Sequence, residues 1–234
     1  MKYTYSLIDF FSIFVPLIFS FHPRLKFYKN WSALFPAITI TGIVFIAWDI
    51  YFTHLKIWGF NPAYLVGYYI GNLPVEEVLF FVCIPYSCLF TYACLNVVIK
   101  TNISGRSQLF ISLVLITISI VMTLVFYRLS YTAYTFFMLA ILVFIAQFIL
   151  KASWLSRFYM AYLLLLLPFF VVNGLLTGTG LNHPIVWYNS KYILGLRILT
   201  IPVEDIFYGM DMILLNTIIY MALSPQFIKS AKTA

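Results

Sequence analysis

The feature that most constrains this chain is a spacing. Apolar runs of about twenty residues recur seven times, over roughly 3–21, 32–53, 74–99, 109–127, 133–150, 158–177 and 201–223. A run of ~20 apolar residues is what carries an α-helix across the ~30 Å hydrocarbon core of a bilayer. Composition agrees with the pattern: 63% of the 234 residues are hydrophobic and only 9% are charged, against about a quarter charged in soluble domains. A soluble enzyme is excluded, and an integral membrane protein is expected. The first run is read as a retained span rather than a cleaved leader. Asp9 interrupts it, and His22-Pro23-Arg24-Leu25-Lys26 follows where a small-residue cleavage site would lie. Cys83, Cys88 and Cys94 share one apolar stretch and are read as core residues.

The connections after spans 1, 3 and 5, together with the C-terminal tail, hold Arg24, Lys26, Lys29, Lys100, Arg106, Lys151, Arg157, Lys229 and Lys232. The opposite side holds Lys2, Lys56, Arg128, Lys191 and Arg197. The excess of bases on the first side predicts a cell-membrane protein with its N-terminus outside and its C-terminus in the cytoplasm. Since the bases occur singly between apolar runs, the net charge of +7 implies no nucleic-acid partner.

The chain also repeats itself. Leu73-Pro74-Val75-Glu76-Glu77-Val78-Leu79-Phe80 returns 128 residues later as Ile201-Pro202-Val203-Glu204-Asp205-Ile206-Phe207-Tyr208, and Tyr92 returns as Tyr220. An even number of crossings separates the copies, so both run the same way through the bilayer. The expected fold is all-α: seven transmembrane helices as two parallel three-helix repeats, 1–107 and 132–234, joined by a connector helix within 108–131. The span count and the outside N-terminus resemble those of rhodopsins.

All seven acidic residues, Asp9, Asp49, Glu76, Glu77, Glu204, Asp205 and Asp211, lie in or at the edge of a span. In the predicted orientation all fall in the outer half of the membrane, and Asn173 holds roughly the repeat position of Asp49. An intramembrane carboxyl costs at least ~2.5 kcal/mol by insertion scales, so each is a functional candidate. Proline followed by acids is also an ordinary helix start. Two copies at one depth, joined by Asp9, Asp49 and Asp211, favour a site. Helical spacing places Glu76 with Phe80, Cys83, Ser87 and Thr91 on the more polar stripe of its span, and Glu204 with Tyr208 and Asp211. Glu76 and Glu204 are therefore expected to face the bundle interior, while Glu77 and Asp205, about 100° away, support them or bond loop amides.

Carboxyls crowded in a low-dielectric pocket can supply an acid and a base together. Nearby rings, among them Trp48, Tyr51, Phe80, Phe81, Phe207 and Tyr208, can stabilise a carbocation on their faces. For most of the chain's 47 aromatics, lipid packing is the better reading. The chain shows no dinucleotide fingerprint, Walker A sequence or metal-ligand spacing, so neither a cofactor nor a metal is expected. Span 7 has no lysine for a retinal Schiff base. What remains is acid–base chemistry on a neutral, lipid-soluble substrate.

The tandem Pro74-Val75-Glu76-Glu77-Val78-Leu79-Phe80-Phe81 and Pro202-Val203-Glu204-Asp205-Ile206-Phe207-Tyr208 resembles the duplicated signature of the small membrane lycopene cyclases, and the Asp49 and Asn173 segments follow the same pattern. The chain resembles the fused bacterial form along essentially its whole length. It departs from the pattern at the inner ends, where Ala93 follows Tyr92 and Met221 follows Tyr220. The resemblance implies an intramolecular isomerase (an intramolecular lyase) of carotenoid biosynthesis, a lycopene β-cyclase. It would convert the acyclic ends of lycopene into β-ionone rings, through γ-carotene to β-carotene, without redox change and without flavin. It implies Glu76 and Glu204 as leading acid/base candidates, Glu77, Asp205 and Asp49 as their partners, and Asn173 as a polar positioner. Phe80, Phe81, Phe207, Tyr208, Trp48 and Asp211 would contact substrate. The implied partners are lycopene and γ-carotene, the lipid bilayer and other carotenoid-synthesis enzymes.

Two further readings stay open: a proton-linked transporter, and a rhodopsin-like protein that binds a carotenoid without a covalent bond. Which carboxyl donates, which accepts, and whether one or both ends are cyclised are also open at this stage.

Overall fold

The computed structural model describes residues 2–98 and 103–224. Lys100, Lys229 and Lys232, which entered the orientation count, lie outside the described residues, as does residue 99 at the end of the third predicted span. Seven α-helices account for the seven apolar runs: α1 (Thr4–Phe19), α2 (Trp31–His54), α3 (Val75–Val98), α4 (Gly105–Val125), α5 (Ser130–Phe144), α6 (Leu155–Leu176) and α7 (Val203–Leu223). Six segments are long and apolar enough to cross a membrane; α1, at 16 residues, is shorter. The helices are apolar around most of their circumference, the pattern of a bundle with no aqueous face. Exposed Leu163, Leu167 and Val171 on α6, for example, have no protein to pack on.

The two halves are built alike. Helix α1 packs along α3 and α5 along α7, while α2 and α6 cross over to the other half, α2 against α7 and α6 against α3. The connector α4 lies along α5. A single π-helical turn, Ile145–Ile149, ends α5. It carries Gln147, whose Oε1 accepts from Gln108 Nε2 at 2.9 Å and from Ser112 Oγ at 3.0 Å, which ties α4 to the second half.

Both long connections emerge at one end of the bundle and fold back over it. Each contains a two-residue hairpin that delivers the chain to an acidic helix start: β2 (Tyr69–Ile70) with β3 (Leu73–Pro74) before α3, and β5 (Arg197–Ile198) with β6 (Ile201–Pro202) before α7. The connections also pair with each other. Strand β1 (Trp58–Phe60) lies antiparallel to β4 (Val186–Tyr188), with Trp58 opposite Tyr188, Gly59 opposite Trp187 and Phe60 opposite Val186. Residues 128 apart thus meet at the central pair, which places a pseudo-two-fold axis through Gly59 and Trp187 and down the middle of the bundle.

The second connection leaves α6 through Gly178, whose φ of +108° suits glycine. A Cβ there would also lie 3.2 Å from the Pro184 backbone. We expect Gly178→Ala to destabilise the protein by about 1–3 kcal/mol, read as a lower midpoint of thermal unfolding in detergent.

Candidate active site

All seven acidic residues are buried, none more than 8% exposed, and the two hairpin-delivered pairs are held in matching ways. Glu76 Oε1 accepts from the Val66 amide at 2.6 Å and from Ser6 Oγ of α1 at 3.3 Å. Glu204 Oε1 accepts from the Leu194 amide at 2.6 Å and from Thr132 Oγ1 of α5 at 2.7 Å. The second residue of each pair takes a phenol instead. Tyr5 OH donates to Glu77 Oε2 at 2.5 Å, and Tyr131 OH donates to Asp205 Oδ1 at 2.7 Å.

This arrangement reverses the orientation expected from helical spacing. Glu76 and Glu204 are the residues that bond loop amides, and they border α1 and α5. Glu77 and Asp205 point at the axis. The reason lies in the hairpins. Val75 N donates to Tyr68 O, and Val203 N donates to Leu196 O, so the incoming connection folds over one side of each helix start. The first acid of each pair is captured by the amides of that connection. The polar stripe was also misleading: Ser87 and Thr91 lie on the same side of α3 as Glu77, Phe80 and Ile84, and all five line one cavity.

That cavity encloses about 200 Å³ between α3, α6 and α7. Its lining on α3 runs from Glu77 to Thr91, about 21 Å at 1.5 Å per residue, so the space is long and narrow. Polar groups gather at its loop end, where Asp49, Glu77, Asn173 and Asp205 meet Tyr5, Trp58, Tyr131 and Tyr188. Most of the remaining lining is apolar, with Phe80, Ile84, Leu165, Phe169, Val172, Tyr208, Met212 and Ile213.

The two ends of the carboxyl cluster differ. Asp205 accepts three hydrogen bonds: the one from Tyr131, one from Tyr188 OH at 2.9 Å, and one from Asn173 Nδ2 at 2.9 Å. Burial, and next the adjoining Asp205 carboxylate, hold the Tyr188 phenol well above its ordinary range, so it remains a donor at neutral pH. On the other side, the partner of Glu77 is a second acid. The Asp49 and Glu77 carboxyls lie within hydrogen-bonding reach of each other. Asp49 Oδ1 accepts from Trp58 Nε1, and Asp49 Oδ2 has no donor from the protein among the described residues.

Of the other residues singled out from the sequence, Phe80, Tyr208 and Asn173 line the cavity. Trp48 and Phe81 do not; they pack against Phe45 at 5.8 and 6.2 Å between ring centroids. Phe207 packs on Phe136 at 4.6 Å. Asp9 and Asp211 are buried outside the lining, with no hydrogen-bond partner for either oxygen of either carboxyl among the described residues.

Sequence reasoning missed Tyr5, Trp58, Tyr131 and Tyr188. For two of these a signal was present: Tyr5-Ser6 followed by Phe10-Phe11 returns as Tyr131-Thr132 followed by Phe136-Phe137, which extends the repeat to α1 and α5.

The chain matches the lycopene cyclase family over residues 2–95 and 128–223. These two segments are the two halves of the bundle, and the unmatched part between them holds α4. The chain belongs to the lycopene cyclase family. It is also similar to a bifunctional lycopene cyclase/phytoene synthase of Aspergillus oryzae, at 28% identity over 67 residues. That match covers 29% of this chain and 11% of the fungal protein. No solved structure matches the chain. Asn173 donates to Asp205, the second acid of its half, and Asp49, at roughly the equivalent position of α2, lines the cavity beside Glu77.

Glu204 tests the capture of the first acids. Glu204→Ala leaves the Leu194 amide and the Thr132 hydroxyl without their acceptor, and we expect a loss of about 1–3 kcal/mol. Glu204→Gln keeps an acceptor oxygen and most of the stability. Thermal unfolding of the two purified variants in detergent separates them.

Proposed function

We propose that the protein is a lycopene β-cyclase of the cell membrane, with its N-terminus outside, and that its chemistry occurs at the loop end of the cavity. The observation that carries this reading is the meeting of two unlike carboxyl arrangements at one end of a long apolar space. Asp49 and Glu77 adjoin, and two ionised carboxyls in contact at a buried site repel strongly, so the pair holds a proton between them. Asp205, with three donors aimed at it, is arranged as an acceptor-only carboxylate.

The reaction follows from these roles. The Asp49–Glu77 pair delivers its proton to the terminal double bond of lycopene and leaves a tertiary cation. The neighbouring double bond within the same end attacks that cation, which forms the ring C–C bond and moves the positive charge onto the ring. Asp205 stabilises this charge across the cavity, and the rings of Phe80 and Tyr208 add their faces. Loss of a ring proton to a carboxylate closes the double bond. One proton enters and one leaves, so the change is an isomerisation with no redox partner and no cofactor. Monocyclic γ-carotene then re-enters for the second end and leaves as β-carotene. Asn173, Tyr131 and Tyr188 fix Asp205, while Glu76 and Glu204 position the helix starts.

A transporter of polar solutes is disfavoured, because the charged lining is concentrated at one end of the cavity, and the hydroxyls further along it, those of Ser12, Ser87 and Thr91, are bonded to backbone carbonyls.

In a lycopene-accumulating bacterium the protein is expected to convert red lycopene to cyclic orange-yellow products. Glu77→Gln and Asp205→Asn are each expected to lower the rate by ~10²–10⁴ with the protein still folded in membranes. Glu76→Gln is expected to lose much less. Chromatography of the extracted carotenoids decides it: unchanged lycopene with folded wild-type protein rejects the cyclase reading. Near-wild-type turnover in Glu77→Gln and Asp205→Asn rejects the assignment of roles.

A further inference from the structure

The pseudo-two-fold axis generates two equivalent clefts beside the carboxyl cluster, one between α3, α6 and α7 and its mate between α7, α2 and α3. Only the first corresponds to the cavity. The residues at equivalent positions show why. With Asn173 aligned on Asp49, and α7 on α3 at the 128-residue offset, Val172 borders the cavity where Trp48 stands in the other half, and Gly209 borders it where Phe81 stands. Trp48 and Phe81 close their cleft as a packed aromatic wedge. Phe45 and Phe81 are at most 1% exposed, and Phe45 and Trp48 stand 5.2 and 5.4 Å from the Tyr208 ring.

On the open side, Phe169 of α6 and the Tyr162 hydroxyl lie against the bare Gly209 backbone, 3.5 and 3.6 Å from where a Cβ would stand, so no ring occupies this position on α7. The same substitution of small for large occurs on the outer helices: half-buried Ser12 of α1 borders the cavity, and its mate on α5 is Met138. Helix α6 also carries Pro168 where α2 carries Val44. The proline removes a backbone hydrogen bond along the cavity wall, and α6 packs less closely on α7 than α2 packs on α3.

We infer that the duplicated protein has a single substrate entrance, the cleft between α3, α6 and α7. One end of the polyene is threaded per binding event, and the monocyclic product must leave and turn round before its second end reacts. This rests on the cyclase reading above. The occupant follows from the shape and lining: a slot about 21 Å long, largely apolar along its length and acidic at its loop end, accepts the end of a hydrocarbon chain. The remainder of that chain trails toward lipid past the partly exposed Ser12 and Phe169.

The test uses the full chain in membranes of lycopene-producing cells and in proteoliposomes loaded with excess lycopene. The graded series Val172→Leu, Val172→Phe and Val172→Trp is expected to lower cyclised ends stepwise, reaching at least tenfold at tryptophan. Melting in detergent identifies the variants that keep the fold, and the smaller steps carry the test if tryptophan does not. Met138→Ala, which trims only the closed cleft, is expected to stay within twofold of wild type. In proteoliposomes the wild type is expected to release free monocyclic carotenoid first, with bicyclic product appearing after a lag. Unimpaired cyclisation by folded Val172→Trp, or bicyclic product from the first turnover without free monocycle, overturns the single entrance while leaving the cyclase reading intact. A folded wild type that makes no cyclic product overturns both.

Discussion

Every side-chain carboxyl in this chain is buried, and the structure is organised around giving each of the hairpin-delivered acids something to bond. A carboxylate inside an apolar bundle is stabilised by the donors that reach it, and apolar helices carry few: among the described residues none reaches Asp9 or Asp211. The donors come instead from the two long connections, from the hydroxyls of α1 and α5, and from Asn173 of α6. Val66 and Leu194 supply amides, Trp58 and Tyr188 supply side chains from paired strands, and Tyr5 and Tyr131 reach in from the outer helices. The hairpins, the β1–β4 pair and the packing of α1 on α3 can all be read as consequences of where the acids sit.

The same requirement separates the roles within each acidic pair. Neighbouring residues at a helix start diverge by about 100°, so one can bond the covering loop while the other reaches the axis. Two copies of that division, facing each other, put Glu77 and Asp205 on opposite walls of one cavity, with Glu76 and Glu204 as their anchors.

How much of this could be read from residues alone depended on whether the signal was local. The apolar runs located the helices to within a few residues, because bilayer thickness and helical rise fix their length. The duplicated Pro-Val-Glu-acid segment revealed the repeat. The phase of each helix was less legible. Spacing says that Glu76 and Glu77 diverge but not which one the loop will cover, and the loop's course depends on a strand pairing centred on two residues 128 apart. Trp58 and Tyr188 escaped notice for that reason: nothing near them in the sequence indicates that their strands meet. Tyr5 and Tyr131 were within reach, since their segments match once the repeat is extended beyond its most conspicuous stretch.

Asn173 in place of a second Asp49 is a small difference with a physical consequence. In an arrangement with strict two-fold symmetry, the transverse electric field vanishes on the axis, so a positive charge there is drawn equally to both walls. Replacing one of four central carboxyls by an amide removes that cancellation. The chamber acquires a direction, and a charge formed in it has one wall to leave and another to approach.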